Sequence, residues 1–256
     1  MIRLLNKDVF HNKEDNILKT AIINNSTFVI LNLLRFIVTY KQANSFKLPE
    51  LFQLSLNQPI KNEQIGLCLL EKIVSLYPSD SIEKNVLLIA AIQANSLNIA
   101  RRLLIFGANP NYIDGTNTSF LYYVLETENS DLLQLLIDHY NINVNEIYRE
   151  ENIIFHAISK NNSELSSILI EGGTNINCKN VKNEFLIEAY INKGWFIHVK
   201  HILEKGFDQL YNDDLLFLRM CKSALNRRST IIFHLIMTNY FATKIARWWR
   251  RIKRKL

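Results

Sequence analysis

The stretch Val86–Asn111, VLLIAAIQANSLNIARRLLIFGANPN, decides the fold. It holds an apolar segment of helix length, a break at Asn95–Ser96, a second apolar segment, and a close on Gly107-Ala108-Asn109-Pro110-Asn111. The same order recurs as NIIFHAISKNNSELSSILIEGGTNIN from Asn152 to Asn177, and as EFLIEAYINKGWFIHVKHILEKGFDQL from Glu184 to Leu210. Between the first two lies TSFLYYVLETENSDLLQLLIDHYNINVN, Thr118 to Asn145. Setting each unit on the residue at the centre of its first helix gives Ala91, Tyr123, Ala157 and Ala189, at spacings of 32, 34 and 32 residues. A fixed period of this size marks stacked structural units.

Extending the period outward adds NILKTAIINNSTFVILNLLRFI, set on Ala21, and LPELFQLSLN followed by NEQIGLCLLEKIV, set on Ser55. Downstream, LLFLRMCKSALNRRSTIIFHLIM is set on Cys221. Six of these seven residues are small, and only Tyr123 is large. A small side chain at a helix centre lets the neighbouring helix approach closely, as a stack of equivalent helices requires. Each helix pair is apolar over too broad a face to stand alone, so stacking must bury it. Seven units are expected.

These residues resemble the ankyrin repeat family, whose unit pairs two antiparallel helices with a β-turn finger. The family's T-P-L-H-x-A pattern is matched by Leu88 and Ala91 in one unit and by Ile154 and Ala157 in another. Its G-A-D-x-N element is matched by Gly107-Ala108-Asn109-Pro110-Asn111 and Gly173-Thr174-Asn175-Ile176-Asn177, with Gly206 supporting a third copy. The resemblance covers about residues 12–238 and is strongest over 85–207. It implies an all-α ankyrin-repeat solenoid of stacked antiparallel helix pairs with short β-turn fingers. Residues 1–84 are expected to form divergent N-terminal repeats, 85–210 the core repeats, 211–240 a capping repeat and 241–256 a basic amphipathic helix. Gly at a helix end and Asn after it suit left-handed backbone and turns. Asn129-Ser130-Asp131 and Asn162-Ser163 read as caps for second helices.

Composition narrows the remaining choices. The chain has 256 residues, 48% of them hydrophobic, with 7 Gly and 4 Pro, which excludes disordered and collagen-like classes. Cys68, Cys178 and Cys221 are widely spaced with no CxxC pair, which argues against a disulfide framework and a structural zinc module. No stretch of about 18 apolar residues is free of charge, so no spanning helix is predicted. The net charge of +6 sits in the tail, where seven Lys or Arg and no acidic residue follow from Lys244 onward. These features, with the heavy use of Asn, Ile and Lys, predict a cytoplasmic protein, or one that is nuclear or delivered into a host cell, and a monomer.

Chemistry-bearing motifs are sparse. No G-x-G-x-x-G, Walker A, H-E-x-x-H or G-x-S-x-G occurs, so no catalytic residue, cofactor or enzyme activity is predicted. His198-x-x-His201-x-x-Glu204 has metal-ligand spacing on one helix face but too few ligands for a zinc site, and its histidines read as partly buried and hydrogen-bonded. Cys221 reads as a small core residue.

Function in such a stack lives on the concave surface, made by the fingers and the exposed side of each first helix. The residue before each set point is expected there: Thr20, Leu54, Ala90, Tyr122, His156, Glu188 and Met220. Finger tips are expected at Tyr112, Ile113 and Asp114, and at Ile147, Tyr148 and Arg149. Of these, Tyr112, Asp114, Tyr122, Tyr148, Arg149, His156 and Glu188 are the predicted protein-binding residues, since Tyr and Arg bring area and hydrogen bonding together. The expected function is a non-catalytic adaptor that binds a partner protein through this surface.

The C-terminal FATKIARWWRRIKRKL carries a second possibility. Phe241, Ile245, Trp248, Ile252 and Leu256 form one helical stripe, with Lys244, Arg247, Arg251 and Arg254 on the other side. It also resembles the IQ motif through Ile245, Arg250 and Lys255, with Ala246 in place of the Gln and Arg251 in place of the Gly. A regulatory or targeting role would place a calmodulin-like protein, anionic lipid or nucleic acid against Arg247, Trp248, Trp249, Arg250, Arg251, Lys253 and Arg254. A continuous helix is expected from about Ser229 to Lys255, with at least one of Trp248 and Trp249 exposed.

Overall fold

Helix pairs follow one another down the whole of the described chain. The computed structural model describes residues 17–39, 48–57, 63–76, 81–207 and 213–253. Its contacts divide the chain into two compact units, 1–136 and 137–256. In the first unit α1 covers 17–23, and it is followed by α2 (Thr27–Thr39), α3 (Leu48–Leu56) and α4 (Glu63–Leu76). Next come α5 (Ser81–Gln93), α6 (Leu97–Ile105) and α7 (Phe120–Glu126). Helix α8 (Ser130–Tyr140) carries the division. The second unit holds the hairpin β1 (Ile147–Tyr148) and β2 (Glu151–Asn152), then α9 (Ile154–Ser159) and α10 (Ser163–Glu171). It continues through α11 (Leu186–Lys193), α12 (Phe196–Glu204), α13 (Asp214–Asn226) and α14 (Thr230–Lys253). Among the described residues this makes seven pairs, and each of the seven set points lies in the first helix of its pair.

Packing follows the repeat within each unit. In the first, α3, α5 and α7 pack in order, as do the second helices α2, α4 and α6. In the second unit α9, α11 and α13 pack in order, and α12 meets α14. Ala21, Ser55, Ala91, Ala157, Ala189 and Cys221 are all buried, which is what a close approach between first helices needs. Leu88, Ile99 and Leu103 fill the core of the first unit, and Ile154, Leu169, Val199 and Ile202 that of the second. Tyr123, the one large residue, stays half-buried and sends its hydroxyl outward to Asp114.

Backbone conformation repeats as strictly as burial. A left-handed residue ends the first helix of most pairs: Asn25, Asn95, Glu128, Asn161, Gly194 and Arg228 all have positive φ. A second set, Gly107, Asn141, Gly173 and Gly206, ends second helices. Asn and Gly supply most of these positions because they adopt this conformation at least cost. The predicted caps form as well. Asn129 Oδ1 accepts the Leu132 amide at 2.8 Å, and Asn162 Oδ1 accepts the Leu165 amide at 3.0 Å.

Of the metal-like cluster, His198 joins the core, while His201 is half-buried and Glu204 is exposed and pairs with Lys200 at 3.7 Å. His198 is buried, and its Nε2 lies 2.9 Å from both the Ser163 carbonyl and the Ser167 hydroxyl. Its ring packs 4.9 Å from that of Tyr190, whose hydroxyl shares a 2.7 Å hydrogen bond with Ser166. Burial pushes the His198 imidazole below its ordinary pKa. Among the described residues no group of three His, Cys, Asp or Glu could hold a metal ion. Nor is any described helix long and apolar enough to cross a membrane.

Candidate functional site

Short polar turns between the pairs build the fingers, and side-chain acceptors fix their shape. In the first unit Asp114 Oδ1 accepts the amides of Thr116 at 2.8 Å and Thr118 at 2.9 Å, while Oδ2 takes the Tyr123 hydroxyl at 2.6 Å. The bonds from Thr116 and Tyr123 hold this carboxyl down at about 2. Backbone bonds from Asp114 to Thr118 and from Phe120 to Tyr112 close the loop, with Asn117 left-handed. Asp114 is therefore a builder of its finger as well as a surface residue.

The second unit carries two fingers. Between β1 and β2 the loop is only Arg149-Glu150, and both residues have positive φ. Two left-handed central residues are the signature of a type I′ hairpin turn, which sequences usually fill with Asn and Gly. The Tyr148 ring lies 6.0 Å from the His156 ring, edge to face, and the Arg149 guanidinium sits 5.1 Å over the same Tyr148 ring. These three predicted residues are brought together in one cluster. In the next finger Asn180 Oδ1 accepts the amides of Lys182 and Glu184, at 2.9 and 3.0 Å, the same device as Asp114. Glu151 Oε2 accepts the Val181 amide at 3.2 Å and so ties one finger to the other. Behind them Asn145 Oδ1 accepts the Asn175 amide at 2.7 Å, while its Nδ2 donates to the Gly173 carbonyl. Burial pushes the nearby Cys178 thiol up to about 12.

The tips present apolar side chains to solvent. Ile147 is 68% exposed and Val181 62%, and Ile113 occupies the corresponding tip of the first unit at 55%. Val181 is absent from the predicted set. Its spacing of 34 residues from Ile147, which itself follows Ile113 by 34, is the signal that could have found it.

The remaining predicted residues fall in several places. Tyr112 and Tyr122 are half-buried in the first unit, with the Tyr122 ring 6.0 Å from that of Tyr123. Glu188 is a correction: it is buried rather than displayed. Its Oε2 accepts the Phe185 amide at 3.0 Å, the reaching-back half of a capping box, and its carboxylate pairs with Arg219 at 3.0 Å. Met220 is a second correction, since it is fully buried in α13, which packs against both α11 and α14. Arg219 takes the outward place beside it, with its side chain half exposed.

Helix α14 runs unbroken from Thr230 to Lys253, close to the predicted span. Lys244 reaches back to Asp214 at 2.9 Å and over the Tyr240 ring at 4.5 Å. Arg247 is half-buried. The side chains of Trp248, Trp249, Arg250, Arg251, Lys253 and Arg254 lie outside the described residues, and so does the predicted Trp exposure.

Comparison with known proteins agrees with this geometry. Residues 87–180 match the family model for ankyrin repeats, in three copies. The chain is also similar to a solved structure, the ankyrin repeat domain of Bcl-3, described as a unique member of the IkappaB protein family. The match has 16% identity and a TM-score of 0.57, and covers 86% of this chain and 97% of that one. At such identity the likeness shows the fold alone. No curated protein matches the chain significantly.

Proposed function

We propose, from the premise that residues 87–180 are ankyrin repeats and that this fold is an interaction scaffold, that the chain is a non-catalytic adaptor which binds a partner protein through its fingers. The observation that carries the reading is the display of Ile147 and Val181. Exposed aliphatic side chains sit on two hairpins whose backbones are already fixed by hydrogen bonds. Binding to a preformed finger costs little ordering entropy, so the apolar contact is retained as affinity. Tyr148, Arg149 and His156 flank Ile147 and supply the aromatic and cationic contacts that often dominate interfaces. The positive φ at Arg149 and Glu150 fits this role, because backbone strain tends to persist where function holds it.

The test is capture from lysate by the full chain and by two variants. Replacing Ile147, Tyr148 and Val181 together with Ser should remove the captured partner by at least about tenfold, as expected for loss of interface anchors. Ile197→Ser, at an exposed position on α12, should leave capture unchanged. Equal capture by all three chains overturns the reading.

A further inference from the structure

The last helix pair carries an apolar and basic face that the fingers do not use. On α13, Leu218 and Leu225 stand at i and i+7 and are 58% and 56% exposed. On α14, Phe241 and Ile245 stand at i and i+4 and are 49% and 63% exposed. The opposite sides of these helices are spent, with Leu216 and Met220 buried on α13 and Ile232 and Ile236 on α14. Helix α11 has first helices on both sides, α9 and α13, whereas α13 meets only α11 among first helices described in this unit. The Phe217 ring, 3.9 Å from Tyr240 and 6.4 Å from Phe241, joins the two helices.

Charge identifies what would cover it. From Leu215 to Leu256 the sequence holds eleven Lys or Arg and no Asp or Glu. Arg219 is committed to Glu188, and Lys244 to Asp214 just before this stretch. The rest make the end of the chain uniformly cationic. A second copy would bring like charge against like and is disfavoured. A helical ligand needs a groove for its apolar anchors, but these residues stand on the outward sides of two helices. Fluid anionic headgroups can match cations at any spacing while isolated apolar side chains enter the acyl boundary. In sequence the stripe of Phe241 and Ile245 continues into Trp248 and Ile252, the composition of a helix lying in a membrane interface.

We infer that the outer face of α13 and α14 docks on the surface of an anionic phospholipid bilayer, at a site separate from the fingers. The test is flotation of the full-length protein with vesicles of phosphatidylcholine alone and with about a quarter phosphatidylserine. The protein should float with the anionic vesicles only, and lose that association roughly tenfold or more in about 0.5 M salt. Two variant sets should each give a similar loss: Phe241→Gln with Ile245→Gln, and Lys253→Gln with Arg254→Gln and Lys255→Gln. Both change exposed or terminal positions, and unchanged melting curves would show that each variant still folds. Absence of flotation with anionic vesicles overturns the inference, as does equal flotation with neutral ones. So does flotation unaffected by losing Phe241 and Ile245, which would mark a purely electrostatic contact of the kind nucleic acid also gives. Calcium-dependent capture by calmodulin with no vesicle association would assign the face to a helix-binding protein instead.

Discussion

Asp114 shows how one side chain can shape a finger. A single carboxylate takes four donors: the amides of Thr116 and Thr118 and the hydroxyls of Thr116 and Tyr123. Asn180 performs the amide part of this task in another finger with no charge. Asp114→Asn should keep the two amide bonds but give up the carboxylate's bond from Tyr123. It should therefore lose less stability than Asp114→Ala, which should cost about 1 kcal/mol by chemical denaturation, the usual net worth of such a bond. His198 gives the corresponding pH prediction. Its folded pKa lies below its unfolded value, so the unfolded chain takes up the proton first as pH falls. Stability is then full above the ordinary histidine range and declines as pH drops through it toward the lower folded value. His198→Gln should flatten that part of the stability curve. The role of His198 was legible from its place in the repeat. The burial of Glu188 was less so, because its partner Arg219 lies 31 residues away and only folding brings them together.

At the scale of the element, the repeat register was the most legible feature. Ala157 sits fully buried on α9, which packs on α11, so Ala157→Leu should destabilise by about 1–3 kcal/mol through overpacking. An unchanged melting curve would mean that α9 does not pack on α11 as described. The Arg149-Glu150 hairpin was hidden for a physical reason. Neither residue advertises left-handed backbone, and the conformation is imposed by the pairing of Ile147 with Asn152 and Tyr148 with Glu151. Replacing the pair with Asn-Gly should raise stability by about 1 kcal/mol, since the left-handed penalty falls on both residues as they stand. The burial of Met220 was hidden in a similar way. Helix α13 begins seven residues before Cys221, while α9 begins three before Ala157, so one rule for the outward-facing position cannot serve both.

For the molecule as a whole, the sequence announced helix pairs at a fixed period and a charge gathered at one end, and both follow from local pattern. The division at residue 136 had no such signal, because it falls inside helix α8 rather than at a linker. The fingertips were read from the turns between helices, yet Val181 escaped because an exposed valine in a polar loop carries no chemistry of its own. It becomes meaningful beside Ile147 once Glu151 binds the Val181 amide. The most direct test of the central claim places a photo-crosslinking amino acid at position 147, at 181, or at the exposed Ile197 of α12. Positions 147 and 181 should crosslink one and the same protein, and position 197 should not. Equal yield from 197, or different proteins from the two tips, would contradict binding through the fingers.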